Sequence, residues 1–193
     1  MQFEDLKKYR FILASKSPRR QFLLKDLGLE FEVRTKEVDE SFPKHLKAEE
    51  IPLYLCEKKA HAFDGELGEG DVVIAADTIV WINDEALNKP KDEKDAARML
   101  RKLSGKTHEV YTGVCLRALG KMCSFYAMTK VSFKVLSEDE INYYIKNFHP
   151  YDKAGAYGAQ EWIGYIAVDK IEGSYFNVMG LPLRELYEEI LRF

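Results

Sequence analysis

The sequence predicts an α/β protein built on a mixed, twisted β-sheet flanked by helices. Three observations carry that expectation. Strand-like and helix-like segments alternate through the N-terminal half, the pattern of strands joined by crossover helices. Residues 72–76 are apolar without alternation, as expected of a strand covered on both faces. A long β-rich hairpin follows over residues 110–119 and 122–135, turning at Gly120 and Lys121, which makes the sheet mixed rather than purely parallel. With 193 residues, 46% of them hydrophobic, residues 1–193 read as a single domain with a sizeable core, residues 1–10 forming an N-terminal extension.

Taken in order, the first strand runs from Phe11 into Ser15, Lys16, Ser17, Pro18, Arg19 and Arg20. Ser17 is a favoured N-cap, and proline loses nothing at the first helical position because that N–H has no partner there, so a helix is expected from Pro18. Phe22, Leu23 and Leu27 give it an apolar face and Gly28 a stop. Free N–H groups, the hydroxyls of Ser15 and Ser17, and the guanidinium forks of Arg19 and Arg20 gather where an anion would sit. Residues 31–35 read as a strand leading into a polar loop, where Glu37, Asp39 and Glu40 crowd together in a way suited to solvent or to a hard cation. A helix is expected over 52–63, with Leu53, Cys56, Ala60 and Phe63 along one face and Glu57, Lys58 and Lys59 across another; Gly65, Gly68 and Gly70 then mark a loop.

The strand at 72–76 meets Asp77 and resumes its apolar pattern at residues 79–82. A carboxylate after five apolar residues is costly to bury unless it is paired, coordinated or functional, which makes Asp77 the strongest single-residue anomaly in the sequence. Asn83 and Asp84 make a turn, residues 85–87 return, and Lys89 stands between that strand and a helix over 92–103 closed near Gly105. After the hairpin, Ser137 and Glu140 form a capping box opening a helix to about Asn147, broken by His149 and Pro150. Residues 151–160 form a loop of small residues whose polar groups are Asp152, Lys153 and Gln160. Residues 165–171 read as a last strand, 172–174 as a turn, and 182–193 as a terminal amphipathic helix. Ser15, Arg19, Arg20, Glu40, Asp77, Lys89 and Gln160 thus fall at the ends of core strands, which share one crevice in an open α/β sheet. Such a crevice is equipped to hold a metal-bound phosphate group and to deprotonate a water.

The formal charge of −3 argues against a general affinity for nucleic acid, so a polyanionic ligand must be met locally. Cys56, Cys115 and Cys123 are odd in number and unpaired in spacing, and the four histidines are scattered, which argues against a zinc site or a disulfide scaffold and suits a reducing compartment. The charged N-terminus lacks the apolar core of a signal peptide, and no apolar run approaches a membrane span. A soluble, cytoplasmic protein with no membrane partner is expected.

The segments LASKSPRR, VDE, EKKA, AADTIV, NKP, MLRKLSG, DKAGAYGAQ and GSYFNVMGLPL resemble, in that order and over nearly the whole sequence, the motifs of the Maf family of nucleoside triphosphate pyrophosphatases. AADT around Asp77 and the glutamine at 160 resemble the dTTP/UTP branch; the 7-methyl-GTP branch usually has other residues after the aspartate and an acid in place of the glutamine. Lys16 stands at a variable position, and the N-terminus carries a few extra residues. The resemblance implies an elongated, two-lobed domain with a central cleft, like the inosine triphosphatases, acting as a homodimer. It implies hydrolysis between the α- and β-phosphates of a nucleoside triphosphate, giving the monophosphate and pyrophosphate with Mg²⁺ or Mn²⁺. By the same resemblance Asp77 is the general base with a metal contact, Glu40 the metal-binding acid, and Ser15, Arg20, Lys59 and Lys89 the phosphate-handling groups. Arg19, Thr78 and Gln160 match positions of substrate choice. A glutamine amide offers the donor and the acceptor that the O4 and N3–H edge of uracil or thymine requires, though a flipped amide would serve cytosine. The alternative from another class is a non-catalytic nucleotide-binding regulator of septum formation and cell division. The intact set Glu40, Asp77 and Lys89 discriminates in favour of the enzyme.

Overall fold

Residues 3–193 are described by the computed structural model, with side chains from Leu6 onward; the first two residues of the expected extension lie outside the described residues. The rest of that extension is a 3₁₀ turn over Phe3–Lys8, and Arg10 already belongs to the first strand. The elements are β1 (Arg10–Leu13), α1 (Pro18–Asp26), β2 (Phe31–Val33), α2 (Glu50–His61), β3 (Asp71–Ile82), β4 (Glu85–Leu87) and α3 (Glu93–Leu103), followed by β5 (Thr107–Ala118), β6 (Lys121–Phe133), α4 (Glu138–Phe148), α5 (Trp162–Ala167), β7 (Val168–Glu172), α6 (Tyr175–Met179) and α7 (Leu183–Arg192). They form one mixed seven-stranded sheet in the order β2-β1-β3-β5-β6-β7, with β4 added to β3. β1 runs parallel to β2 and β3, whereas β5, β6 and β7 are antiparallel to their neighbours. No helix among the described residues is long and apolar enough to cross a membrane.

β3 organises the molecule. Side chains alternate along a strand, and its even-numbered residues Val72, Ile74 and Ala76 pack with Leu23 and Leu24 of α1 and Leu186 and Ile190 of α7. Farther along, Val80 and Ile82 on the same face meet Leu100 of α3 and Tyr144 of α4. The odd-numbered Ala75 and Ile79 pack instead on α2, through Cys56, Ala60, Ile51 and Leu55. One edge of β3 is paired with β5 continuously from Val73 to Trp81. The opposite edge is paired with β1 only up to Ile74 and with β4 only from Val80. Between them the edge of β3 has no strand neighbour among the described residues, and Asp77 and Thr78 lie in that gap.

Most expected elements appear with shifted ends. Ser17 caps α1 by accepting from the Arg20 N–H, Pro18 is at the first position, and the Ser137–Glu140 capping box forms in both directions. Asn83 (φ 52°) and Asp84 (φ 56°) make the two-residue turn from β3 to β4, both central residues with positive φ. Three expectations fail. Residues 165–171 are not a strand throughout: Trp162–Ala167 is a helix, burying Ile163, Gly164 and Ala167, and the strand begins at Val168. Six residues rich in aromatic and β-branched types carry too little periodicity to tell the two apart. Phe22 is 55% exposed, and Leu24 takes its place on the buried face of α1. Asp77 does not end a strand but sits inside β3, because the neighbour β1 stops rather than β3 itself.

Candidate active site

The gap in the sheet opens into a cleft of about 660 Å³ lined by all nine residues singled out in the sequence: Ser15, Arg19, Arg20, Glu40, Lys59, Asp77, Thr78, Lys89 and Gln160. Local sequence explains how each arrives there. β1 ends at Leu13 and delivers the residue 15–20 turn to one side of the gap; β4 ends at Leu87 and delivers Lys89 to the other. α2 brings Lys59 to the face of β3 that carries Asp77. The lining holds seven cationic residues against four acids in a protein of net charge −3, so positive charge is concentrated at the cleft.

Lys59 is the centre of the charge arrangement. Its Nζ donates to Asp77 Oδ1 at 2.5 Å and lies 2.9 Å from Glu40 Oε1, while Lys89 Nζ reaches Glu40 Oε2 at 3.4 Å. The Lys59 and Asp77 side chains are only 15% and 14% exposed, so this pair is weakly screened, whereas Lys89 is open to solvent. Burial works to raise the Glu40 carboxyl, but the hydrogen bond and charge of Lys59, aided by Lys89, outweigh it and hold Glu40 below the ordinary carboxylate range. Asp39, its neighbour in the acidic cluster, takes no part in lining the cleft: it accepts from Ser41 and pairs with Lys58 on α2.

On the other face, Arg20 is threaded through the wall. Its Nε donates to Gly180 O at 2.8 Å, Nη1 to Ala76 O at 2.9 Å and to Ser15 Oγ at 3.3 Å, and Nη2 to Thr78 Oγ1 at 3.1 Å. Burial lowers its pKa, opposed by Asp77 and reinforced by Arg19, yet a guanidinium stays charged. Most of its donors are therefore committed to holding the wall, leaving one N–H of Nη2 for an anion. Arg19 points elsewhere: its Nη1 bonds Asp152 Oδ2 at 3.0 Å, reaching from α1 to the loop before α5. The Gln160 side-chain amide has no protein hydrogen-bond partner among the described residues, so both its donor and its acceptor are free.

Sequence reasoning left Lys153 without a role. It is 6% exposed, lines the cleft, and is held between Asp152 Oδ1 at 2.7 Å and Glu161 Oε1 at 3.0 Å. Adjacent opposite charges inside a run of small residues were the signal that could have marked it. Among the described residues no group of three or more His, Cys, Asp or Glu side chains is placed to hold a metal ion. Glu40 and Asp77 nevertheless touch one common ammonium group, so a single cation is within reach of both. Two carboxylates without a third protein ligand suit a hard divalent ion that completes its coordination with water and phosphate oxygens.

Fold and site together define an α/β protein whose cleft, opened by a gap in a mixed sheet, is built for a polyanionic ligand beside a pair of carboxylates. Residues 10–193 match the family model described as Maf-like protein, and the protein belongs to that family. It is 55% identical over 185 residues to the dTTP/UTP pyrophosphatase of Flavobacterium johnsoniae, covering 96% of this sequence and 95% of that one. Identity to the dTTP/UTP pyrophosphatase of Phocaeicola vulgatus is 54% over 188 residues, with 97% of both covered. A solved structure, the Staphylococcus aureus Ham1 protein, aligns over 93% of this protein and 99% of its own length with a TM-score of 0.49 and 17% identity.

Proposed function

We propose that the protein is a nucleoside triphosphate pyrophosphatase that hydrolyses dTTP and UTP to the nucleoside monophosphate and pyrophosphate. The observation that carries this reading is the Glu40–Lys59–Asp77 cluster, set in the strand gap opposite the 15–20 turn; the names of the relatives at about half identity support the substrates. Ser15, Arg20 and Lys89 bind the triphosphate, and Arg19, Thr78 and Gln160 choose the nucleoside. Asp77 accepts the proton of the attacking water: Lys59 holds Oδ1, which leaves Oδ2 to take it. Glu40 and Asp77 would hold Mg²⁺ or Mn²⁺, which would supply charge neutralisation of the phosphate oxygens. The Lys59 ammonium, placed against both carboxylates, holds Glu40 below the ordinary carboxylate range. We further propose a cytoplasmic homodimer with neither nucleic acid nor membrane as partner, and light scattering of the purified protein tests the dimer.

The direct test is incubation of the purified protein with a panel of nucleoside triphosphates and Mg²⁺ or Mn²⁺, with products identified. Pyrophosphate release from dTTP and UTP is expected. Orthophosphate release, or turnover confined to purine nucleotides, would overturn the reading.

A further inference from the structure

Directly behind Thr78 lies a series of polar groups in the core that the catalytic roles do not use. Thr112, Thr129 and Asn177 are all fully buried. Thr112 stands opposite Thr78 in the β3–β5 register. Its Oγ1 lies 2.9 Å from Thr78 Oγ1 and 3.2 Å from the backbone carbonyl oxygen of Asn177. The Asn177 amide donates to Val110 O and to Thr129 Oγ1, both at 3.0 Å, which pins α6 and the cleft wall after it to β5 and β6.

The direction of the protons follows from what each group can do. A carbonyl only accepts, so the proton in the Thr112–Asn177 contact is the one that Thr112 carries. The proton between the two threonines must then come from Thr78. The reverse order would leave Thr112 and the carbonyl facing each other with no hydrogen between them, at a place closed to water. Thr78 Oγ1 already accepts from Arg20 Nη2 at 3.1 Å. Its proton points inward and one lone pair is taken, so what remains for the cleft is a lone pair.

We propose that Thr112 is a positioning residue that fixes Thr78 as a hydrogen-bond acceptor, so that this wall of the cleft selects a ligand N–H or O–H donor. The inference rests on the pyrophosphatase reading and deepens it. The oxygens of an ionised triphosphate carry no donor, so Thr78 meets the nucleoside part, either the N3–H of uracil or thymine or a sugar hydroxyl.

The test compares Thr112→Val and Thr112→Ser with wild type on UTP, N3-methyl-UTP and 2′,3′-dideoxy-UTP. In Thr112→Val the Asn177 carbonyl keeps a partner, since it also accepts from the Gly180 N–H at 2.9 Å, but the Thr78 proton loses its inward acceptor. The expected result is a loss of about tenfold in kcat/KM for UTP, mainly in KM, restored by Thr112→Ser. A loss that spares N3-methyl-UTP identifies the base N–H as the donor; one that spares the dideoxy nucleotide identifies the sugar. Thr78→Val, which removes the same acceptor from the cleft side, should reproduce the pattern if Thr112→Val folds poorly. Equal losses on all three nucleotides, or no rescue by serine, would overturn the inference. Should wild type release no pyrophosphate at all, the proposed function falls instead, and the same pattern is then sought in calorimetric binding of the three nucleotides.

Discussion

Gly113 stands opposite Asp77 in the β3–β5 register, and its replacement by alanine is a measurement of how α2 sets the active site. A Cβ there would lie 2.5 Å from the backbone carbonyl carbon and oxygen of Pro52 and 2.6 Å from the backbone nitrogen of Leu53. Ordinary contact begins near 3.4 Å, so the first turn of α2 must retreat by about 1 Å; these are backbone atoms and cannot swing aside. Overpacking of this kind costs about 2 kcal/mol, or roughly 4–8 °C in Tm for a protein of this size. The same retreat carries Lys59, two turns along α2, away from Asp77 and opens the 2.5 Å contact. Misplacement by about 1 Å at a reacting centre can lower turnover by roughly 10²-fold, so kcat/KM for dTTP should fall by between ten- and a hundredfold. The assay is thermal unfolding alongside initial rates of pyrophosphate release. Gly120→Ala is the control: it has φ 72° at the hairpin tip with open space around it, so it should lose about 1 kcal/mol from backbone strain while kcat stays at the wild-type value. A Gly113→Ala variant with unchanged Tm and turnover would refute the claim that close approach of α2 to β5 positions Lys59.

Other outcomes follow from the same geometry. Asp77→Asn should lower kcat by about 10²–10⁴-fold with nucleotide binding still measurable by calorimetry; a variant that keeps most of its turnover removes Asp77 from the role of base. Gln160→Glu replaces the free donor of the amide with an acceptor and should depress dTTP and UTP turnover relative to other triphosphates at unchanged Tm, so unchanged relative rates across the panel would count against a selecting role. His108 is buried with Nε2 on the Tyr157 hydroxyl, and burial pushes its pKa down from 6.5 to about 3. Between those values the unfolded state binds a proton that the folded one does not, so stability rises with pH across that window. It should fall below pH 6.5 with a slope of about 1.4 kcal/mol per pH unit from this group. Denaturant titrations of His108→Gln at pH 5.5 and 7.5 check it, and a wild-type-like slope in the variant would assign the effect elsewhere.

The sequence by itself determined the local pieces, because their causes are local. Ser17 and Pro18 start α1 through cap chemistry, Ser137 and Glu140 start α4 in the same way, and the Asn83–Asp84 turn follows from which residues tolerate positive φ. It also marked Asp77, since a carboxylate between apolar runs is anomalous before any fold is known. Where the periodic signal was short, as at residues 162–167, sequence pattern could not separate helix from strand. Tertiary structure alone decided what Asp77 is next to. The gap in the sheet exists because β1 stops at Leu13 and β4 begins its pairing at Val80, and no residue near Asp77 encodes where those neighbours end. The burial of Lys153, Thr112 and Asn177 was illegible for a related reason: a buried lysine, threonine or asparagine has the same letters as an exposed one. Only packing of α6 and the 151–160 loop onto the sheet removes water from them and turns ordinary polar side chains into a fixed pattern of donors and acceptors.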